Sequence, residues 1–369
     1  MERTSKVPEM KVVIFAGGVG TRMWPMSRRV YPKQFQPLLG KASFFQRAYN
    51  RVRTGFSPKD IFVSTGAEYE HFVREQATGI PKQNIIAEPE RRDSFAAVGY
   101  ATAYVNHFFP NTLMAAVWGA DHLVEDEPAF IKALRVAGRI ASEKNVIAKI
   151  DARPTFPSIY NGWVEIGNRV AKIDGMDVFE FIRFIEKPDL LTAKRLFRSF
   201  KYLINVGYMV WKSNVMLDFY KKISKETYTR LVRISEALGK KGSEAILKAE
   251  YAKIRKDSVD YGIFEKLSPK DMLVIPADMG WTDVGTWELL FTGLAQNAVD
   301  NVIQADLEEI DTKGCLIYAP KGKIVATIGV QNLIIVDTKD ALLVSAKERS
   351  ADVKKLLETL KQKGRNELL

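Results

Sequence analysis

Along the first two-thirds of the chain, apolar residues gather into short runs separated by segments of helical period. The runs at residues 12–15, 61–64, 84–87, 113–118 and 146–150 read as buried parallel strands, because a largely apolar run suits a strand covered on both faces. Residues 44–54, 69–77 and 130–142 carry their apolar positions at helical spacing. This alternation predicts βαβ units in an open α/β sheet with helices on both faces. Residues 178–211 repeat it as strand, helix (190–200), strand, and residues 214–250 read as mostly helical and rich in Lys and Glu.

Beyond about residue 300 the texture changes. Residues 301–305, 315–319, 324–328, 333–336 and 341–344 are short β runs, divided by turn signals such as Thr312-Lys313-Gly314 and Pro320-Lys321-Gly322. They predict a small all-β appendage. A terminal helix follows, with Ser350 as candidate cap and Val353, Leu356, Leu357 and Leu360 as its apolar stripe. A chain of 369 residues exceeds what one core usually holds. The expected division is therefore residues 1–295 and residues 296–369.

Composition narrows the class. Apolar residues make up 46% and charged ones 27%, a globular balance that excludes disorder and fibrous arrays. No apolar run is long enough to span a bilayer. Cys315 is the single cysteine, so neither an intrachain disulfide nor a cysteine zinc site is expected, and its strand-like neighbours predict a buried thiol. His71, His107 and His122 lack the close spacing of a zinc pair. The polar first residues predict no signal peptide and a cytoplasmic protein. The net charge of +11 implies anionic partners without saying which.

The strongest local signal is Ala16-Gly17-Gly18-Val19-Gly20-Thr21-Arg22, directly after the first strand. Glycines there let backbone N–H groups approach a bulky anion. The P-loop ending of Gly-Lys-Ser/Thr is missing, and Met23 stands where a dinucleotide fingerprint requires Gly or Ala. A tight turn alone would explain one or two of the glycines. It would not explain why Arg22, Arg28, Arg29 and Lys33 follow so closely, since like charges repel unless an anion such as a triphosphate holds them.

The stretch from Gly17 through Trp24-Pro25-Met26-Ser27-Arg28 to Pro32-Lys33-Gln34-Phe35 resembles the signature of the sugar-1-phosphate nucleotidylyltransferases. Its Trp-Pro-x-Ser-Arg and Pro-Lys-Gln-Phe variants point within that family to the mannose-1-phosphate guanylyltransferases. The resemblance continues through Glu88-Pro89, Arg92-Asp93-Ser94, Ala120-Asp121-His122, Glu186-Lys187-Pro188, Asn205-Val206-Gly207, Ser258-Val259-Asp260-Tyr261 and Gly280-Trp281-Thr282-Asp283 to Val336-Asp337-Thr338. It implies a Rossmann-like open mixed sheet with a small left-handed β-helix-like appendage and a terminal helix. It implies nucleotide contacts from Ala16, Gly17, Gly18, Gly20, Thr21, Arg22, Lys33, Ser94 and Asp121, with Arg22 and Lys33 catalytic. Guanine choice is expected around residues 88–94. The sugar phosphate would fall to Gly162, Glu186, Lys187, Asn205, Gly207 and Asp260, and Mg²⁺ to Asp121 and Asp283.

Several of these residues also read from their own chemistry. Asp121 follows a continuous apolar strand, so it stands near the carboxyl end of the sheet where ligands of open α/β folds bind. Asp283 lies in a Gly/Trp-rich segment too turn-like for a helix surface; two such carboxylates beside a triphosphate suit a hard cation, though each alone also reads as a cap. Asp260 reads as a hydroxyl acceptor, with a cap before a helix at 263–267 nearly as good a reading. An isolated Glu-Lys pair such as Glu186-Lys187 is ordinarily solvated surface.

The family's chemistry needs no general base, because a sugar 1-phosphate is already an anionic nucleophile; charge neutralisation and orientation remain. The expected partners are GTP and mannose 1-phosphate, with a homodimer and with neither nucleic acid nor membrane. The alternatives are another NTP or sugar 1-phosphate, or a regulatory subunit that binds a nucleotide-sugar without turning it over. Two departures from the family pattern stand out. Ile159-Tyr160-Asn161-Gly162-Trp163-Val164-Glu165 replaces a Thr-Gly-Tyr-Gly-Tyr-Ile-Glu stretch, and Ile204-Asn205-Val206-Gly207 replaces Trp-Asn-Ser-Gly.

Overall fold

The computed structural model describes residues 9–38, 40–118 and 122–369; Asp121 lies outside the described residues. The chain divides into two compact units that no single cut separates. One comprises Met1–Gly17, Ala48–Trp118 and Val124–Trp281, the other Gly18–Arg47, Gly119–Leu123 and Thr282–Leu369.

The first unit is built on a mixed open sheet. Its strand order is Ile85–Glu88, Ile61–Gly66, Met10–Phe15, Leu113–Trp118, Tyr202–Lys212, Ile147–Ala152, Met272–Pro276, Met176–Ile185 and Trp163–Ile173. The first four run parallel, as their largely apolar sequences predict. Tyr202–Lys212 then pairs antiparallel with both of its central neighbours. The chain leaves Met10–Phe15 for one side of the sheet and returns to its other side at Leu113–Trp118, which makes a topological switch point there. At the carboxyl ends of these two strands Phe15 and Trp118 stack with ring centroids 4.5 Å apart.

The helix Asp93–Phe108 is apolar on nearly all sides and is correspondingly buried. Gly99 is small for a packing reason: a Cβ there would press to 2.9 Å from Leu231 and 3.1 Å from Tyr220.

The second unit places Val302–Gln304, Leu316–Tyr318 and Leu333–Asp337 side by side as parallel strands, with Leu342–Ala346 antiparallel at the edge. Asp306–Ile310 and Ile324–Ile328 form a separate parallel pair. Strands alternating between two short parallel stacks build a β-helix-like coil, which agrees with the expected appendage. Cys315 is buried as expected. The core of this unit also takes in the N-terminal segment: Met23 and Trp24 pack in one cluster with Trp287, Leu316, Ile334, Val336, Leu343 and Val353.

The structure departs from the sequence reading at several elements. Trp163–Ile173 forms a hairpin with Met176–Ile185 although it was not expected as a strand, because it is half exposed and Gly167-Asn168 interrupts it like a turn. Asp306–Ile310 escapes for a similar reason, being acidic and largely exposed. Ser350 does not cap the terminal helix Val353–Gln362. It is fully buried in the preceding 3₁₀ segment, and its hydroxyl accepts from the Glu288 N–H. Among the described residues no helix is long and apolar enough to cross a membrane.

Candidate active site

In the second unit, the loop after the first strand depends on glycine. Gly18 and Gly20 have φ of 86° and 58°, and a Cβ on Gly20 would fall 2.6 Å from Lys33 Cγ, so Lys33 can lie across the turn only because Gly20 has no side chain. Two side chains tie the loop down. The Ser27 hydroxyl donates to the Val19 carbonyl and accepts from the Lys33 N–H, and Gln34 Nε2 donates to the Gly18 carbonyl. Lys33 is itself buried, and its ammonium donates to the Val284 carbonyl at 2.9 Å. That bond draws Lys33 to the segment carrying Asp283, although 251 residues separate it from Val284.

Arg22 and Asp283 belong to one small neighbourhood. A Cβ on Gly285 would stand 3.2 Å from both Asp283 carboxylate oxygens and 3.3 Å from Arg22 Nη2. Asp283 is fixed by a two-residue strand pair opposite His122. A hard carboxylate donor beside a glycine cradle suits a divalent cation whose other ligands are phosphate oxygens and water. Thr21 and Arg22 are exposed.

Arg28 corrects one part of the charge argument. Its guanidinium is occupied by Asp340, at 2.9 Å, and by the carbonyls of Pro25 and Leu368. The anion that holds this arginine is the protein's own, because Trp24 and Arg28 anchor the loop segment to the C-terminal residues. Trp24 Nε1 likewise donates to the Leu368 carbonyl.

In the first unit, the Ala16 N–H donates to the Ser64 carbonyl, so that donor is committed within the sheet. Ser94 accepts from the Val259 N–H at 2.8 Å and so holds the short helix Val259–Gly262 that carries Asp260. Ser258 caps that helix, and the following 3₁₀ turn Phe264–Lys266 starts from Ile263 without a side-chain cap, so Asp260 caps neither. Glu88 points inward, accepting from the Ser64 and Tyr251 hydroxyls, and burial pushes its carboxyl above the ordinary range.

The residues expected to take the sugar gather around Asn205. The Asn205 N–H donates to the Gly162 carbonyl, and Asn205 Nδ2 faces an Asp260 carboxylate oxygen at 3.4 Å. A Cβ on Gly162 would come within 2.9 Å of Glu186 Oε2. Gly207 has φ 79°, and a Cβ there would strike the Trp118 indole. Glu186 and Lys187 form an ion pair. Burial raises the Asp260 carboxyl above its ordinary value; the Glu186 charge adds to that and the Lys149 charge opposes it.

Sequence reasoning missed three residues here. Lys149 and Asp151 form a buried ion pair in Ile147–Ala152, and Lys149 Nζ donates to Asn205 Oδ1 at 2.6 Å. Trp118 stacks on Phe15 and crowds Gly207. A signal for the first two existed: charged residues inside an apolar strand must find partners.

Residues 11–298 match the family described as Nucleotidyl transferase, and residues 307–360 match the MannoseP isomerase/GMP-like beta-helix domain. The chain is 34% identical over 360 residues to a mannose-1-phosphate guanylyltransferase of Klebsiella pneumoniae, covering 96% of this chain and 74% of that protein. It is 34% identical over 363 residues to the mannose-1-phosphate guanylyltransferase RfbM of Salmonella typhimurium, covering 96% and 73%. A solved structure described as mannose-1-phosphate geranyltransferase from Thermus thermophilus superposes with a TM-score of 0.85 at 28% identity, over 96% of this chain and 99% of that one.

Proposed function

This chain belongs to the nucleotidyl transferase family, and we propose that it acts as its mannose-1-phosphate guanylyltransferase relatives are named to act, converting GTP and mannose 1-phosphate to GDP-mannose and pyrophosphate. The observation that carries the assignment of chemistry to this chain's residues is the meeting of Arg22 and the Asp283 carboxylate around Gly285.

An oxygen of the sugar phosphate attacks the α-phosphorus of GTP. The bond from that phosphorus to the bridging oxygen breaks, and pyrophosphate leaves with the electron pair. No proton has to be removed from the nucleophile, so orientation and charge neutralisation carry the rate. The N–H groups of Gly17, Gly18, Gly20 and Thr21 cradle the triphosphate, and Ala16 and Ser94 shape the nucleotide's surroundings. Arg22 and Lys33 stabilise charge on the departing pyrophosphate. Asp283, with Asp121, would hold a Mg²⁺ ion, which supplies further neutralisation of the phosphate oxygens when bound. Lys187 exchanges its Glu186 partner for the sugar phosphate, while Glu186, Asn205 and Asp260 bind sugar hydroxyls and Gly162 and Gly207 permit close approach.

The same reading places the protein in the cytoplasm as a homodimer. The exposed apolar side chains of Ile310, Ile324 and Ile328 on the two-stranded stack support the second point.

The test is pyrophosphate release by purified protein, across a grid of nucleoside triphosphates and sugar 1-phosphates. GTP with mannose 1-phosphate is expected to give the highest kcat/KM, with turnover lost on chelation and restored by Mg²⁺. Preference for another pair would overturn the substrate assignment. No release with any pair would favour a non-catalytic, regulatory role.

A further inference from the structure

Lys149 and Asp151 alternate on one face of Ile147–Ala152 and are buried, with 3% and 0% of their surface exposed. Two buried charges are a poor device for stability alone, since an apolar pair of similar size serves as well or better. The pair's remaining contacts all lead to one place. Lys149 Nζ donates to Asn205 Oδ1 at 2.6 Å, and Asp151 Oδ1 accepts from the Val206 N–H at 3.2 Å. The pair therefore grips both the side chain and the backbone of Asn205-Val206-Gly207.

We infer that Lys149 is a positioning residue for the sugar site: its ammonium fixes the Asn205 amide, and through it the Asp260 carboxylate, in the one orientation that can read the sugar's hydroxyls. This rests on the assignment of Asn205 and Asp260 to the sugar.

The orientation follows from donor chemistry. Asn205 Oδ1 receives Lys149 Nζ and the Gly207 N–H, at 2.6 and 3.1 Å. An ammonium and a backbone N–H can only donate, so the atom they meet must be the amide oxygen. The amide nitrogen is then forced toward Asp260 Oδ1. One N–H bond is spent there, and the second Asp260 oxygen keeps its capacity to accept. Without the Lys149 charge the amide loses its strongest anchor, and only the Gly207 N–H still holds its oxygen. Asp151 balances Lys149 through a single oxygen, since Asp151 Oδ2 is buried without a partner.

Lys149→Met alone would strand the Asp151 carboxylate, so the informative protein is Lys149→Met/Asp151→Asn, in which both charges are removed at nearly constant volume. It is expected to melt as a folded protein, with KM for mannose 1-phosphate raised about tenfold or more and KM for GTP within about twofold of wild type. Gln in place of Met at position 149 keeps an N–H donor and is expected to recover part of the loss. In an Asn205→Ala background, removing the pair is expected to add little to the sugar KM, because Lys149 acts through that side chain. An unchanged sugar KM in the folded double variant overturns the inference. So does a parallel rise in both KM values, or a full additional loss in the Asn205→Ala background, either of which makes the pair a structural prop. Failure of the wild-type protein to use mannose 1-phosphate sinks instead the substrate assignment.

Discussion

Asp260 shows how one side chain's surroundings set its working range. Its carboxylate can accept from sugar hydroxyls through both oxygens with full charge only when ionised, and burial together with Glu186 raises its pKa despite the opposing charge of Lys149. Protonation should therefore begin at a higher pH than for an ordinary aspartate. At subsaturating sugar phosphate, kcat/KM is expected to fall on the acid side along a limb above the usual aspartate range. Asp260→Asn should lower activity and abolish that limb; a limb that persists in the variant assigns it to another group. Gly207 gives a steric counterpart. Both its φ of 79° and the close approach of Trp118 forbid a side chain, so Gly207→Ala is expected to cost about 1–3 kcal/mol, read as a lower melting temperature. The glycine loop and the sugar motifs could be read in the sequence as candidate chemistry. Lys149 stood out only as a charge inside an apolar strand, because its meaning depends on Asn205, 56 residues away.

At the scale of elements, the segment after the glycine loop is held by its partners more than by its own turns. Trp24 and Arg28 both reach the Leu368 carbonyl, and the Arg29 N–H donates to the Leu369 carbonyl. Trp287 Nε1 donates to the Trp24 carbonyl from the opposite direction in sequence. Removing residues 366–369 is therefore expected to raise the KM for GTP several-fold while the KM for mannose 1-phosphate stays unchanged. Initial-rate kinetics with each substrate varied would separate the two, and equal effects on both would contradict the anchoring role. Element prediction worked best for the parallel strands, whose largely apolar runs admit little else. It failed for the half-exposed hairpin strand Trp163–Ile173 and the acidic strand Asp306–Ile310, where pairing with a neighbour decides the conformation.

At the scale of the whole molecule, the glycine loop belongs to the same compact unit as the C-terminal β-helix-like coil. Met23 and Trp24 share a core with Ile334, Val336 and Leu343, so the appendage is a footing for that loop. A fragment of residues 1–298 is expected to be cleaved by protease within residues 18–47 far faster than the full chain, and GTP should no longer protect it. Equal resistance would show that the loop does not need that footing. Local sequence determined the parallel strands, the glycine turn, the buried thiol and the family, because short-range periodicity and motif spacing are written in consecutive residues. Tertiary structure alone decided that Arg28 answers Asp340 and the C-terminal residues, that Ser350 serves Glu288, and that Lys149 orients Asn205. The physical reason is common to all three. A buried or half-buried polar group takes whichever partner folding brings within hydrogen-bond reach, and that partner's distance along the chain leaves no trace in local pattern.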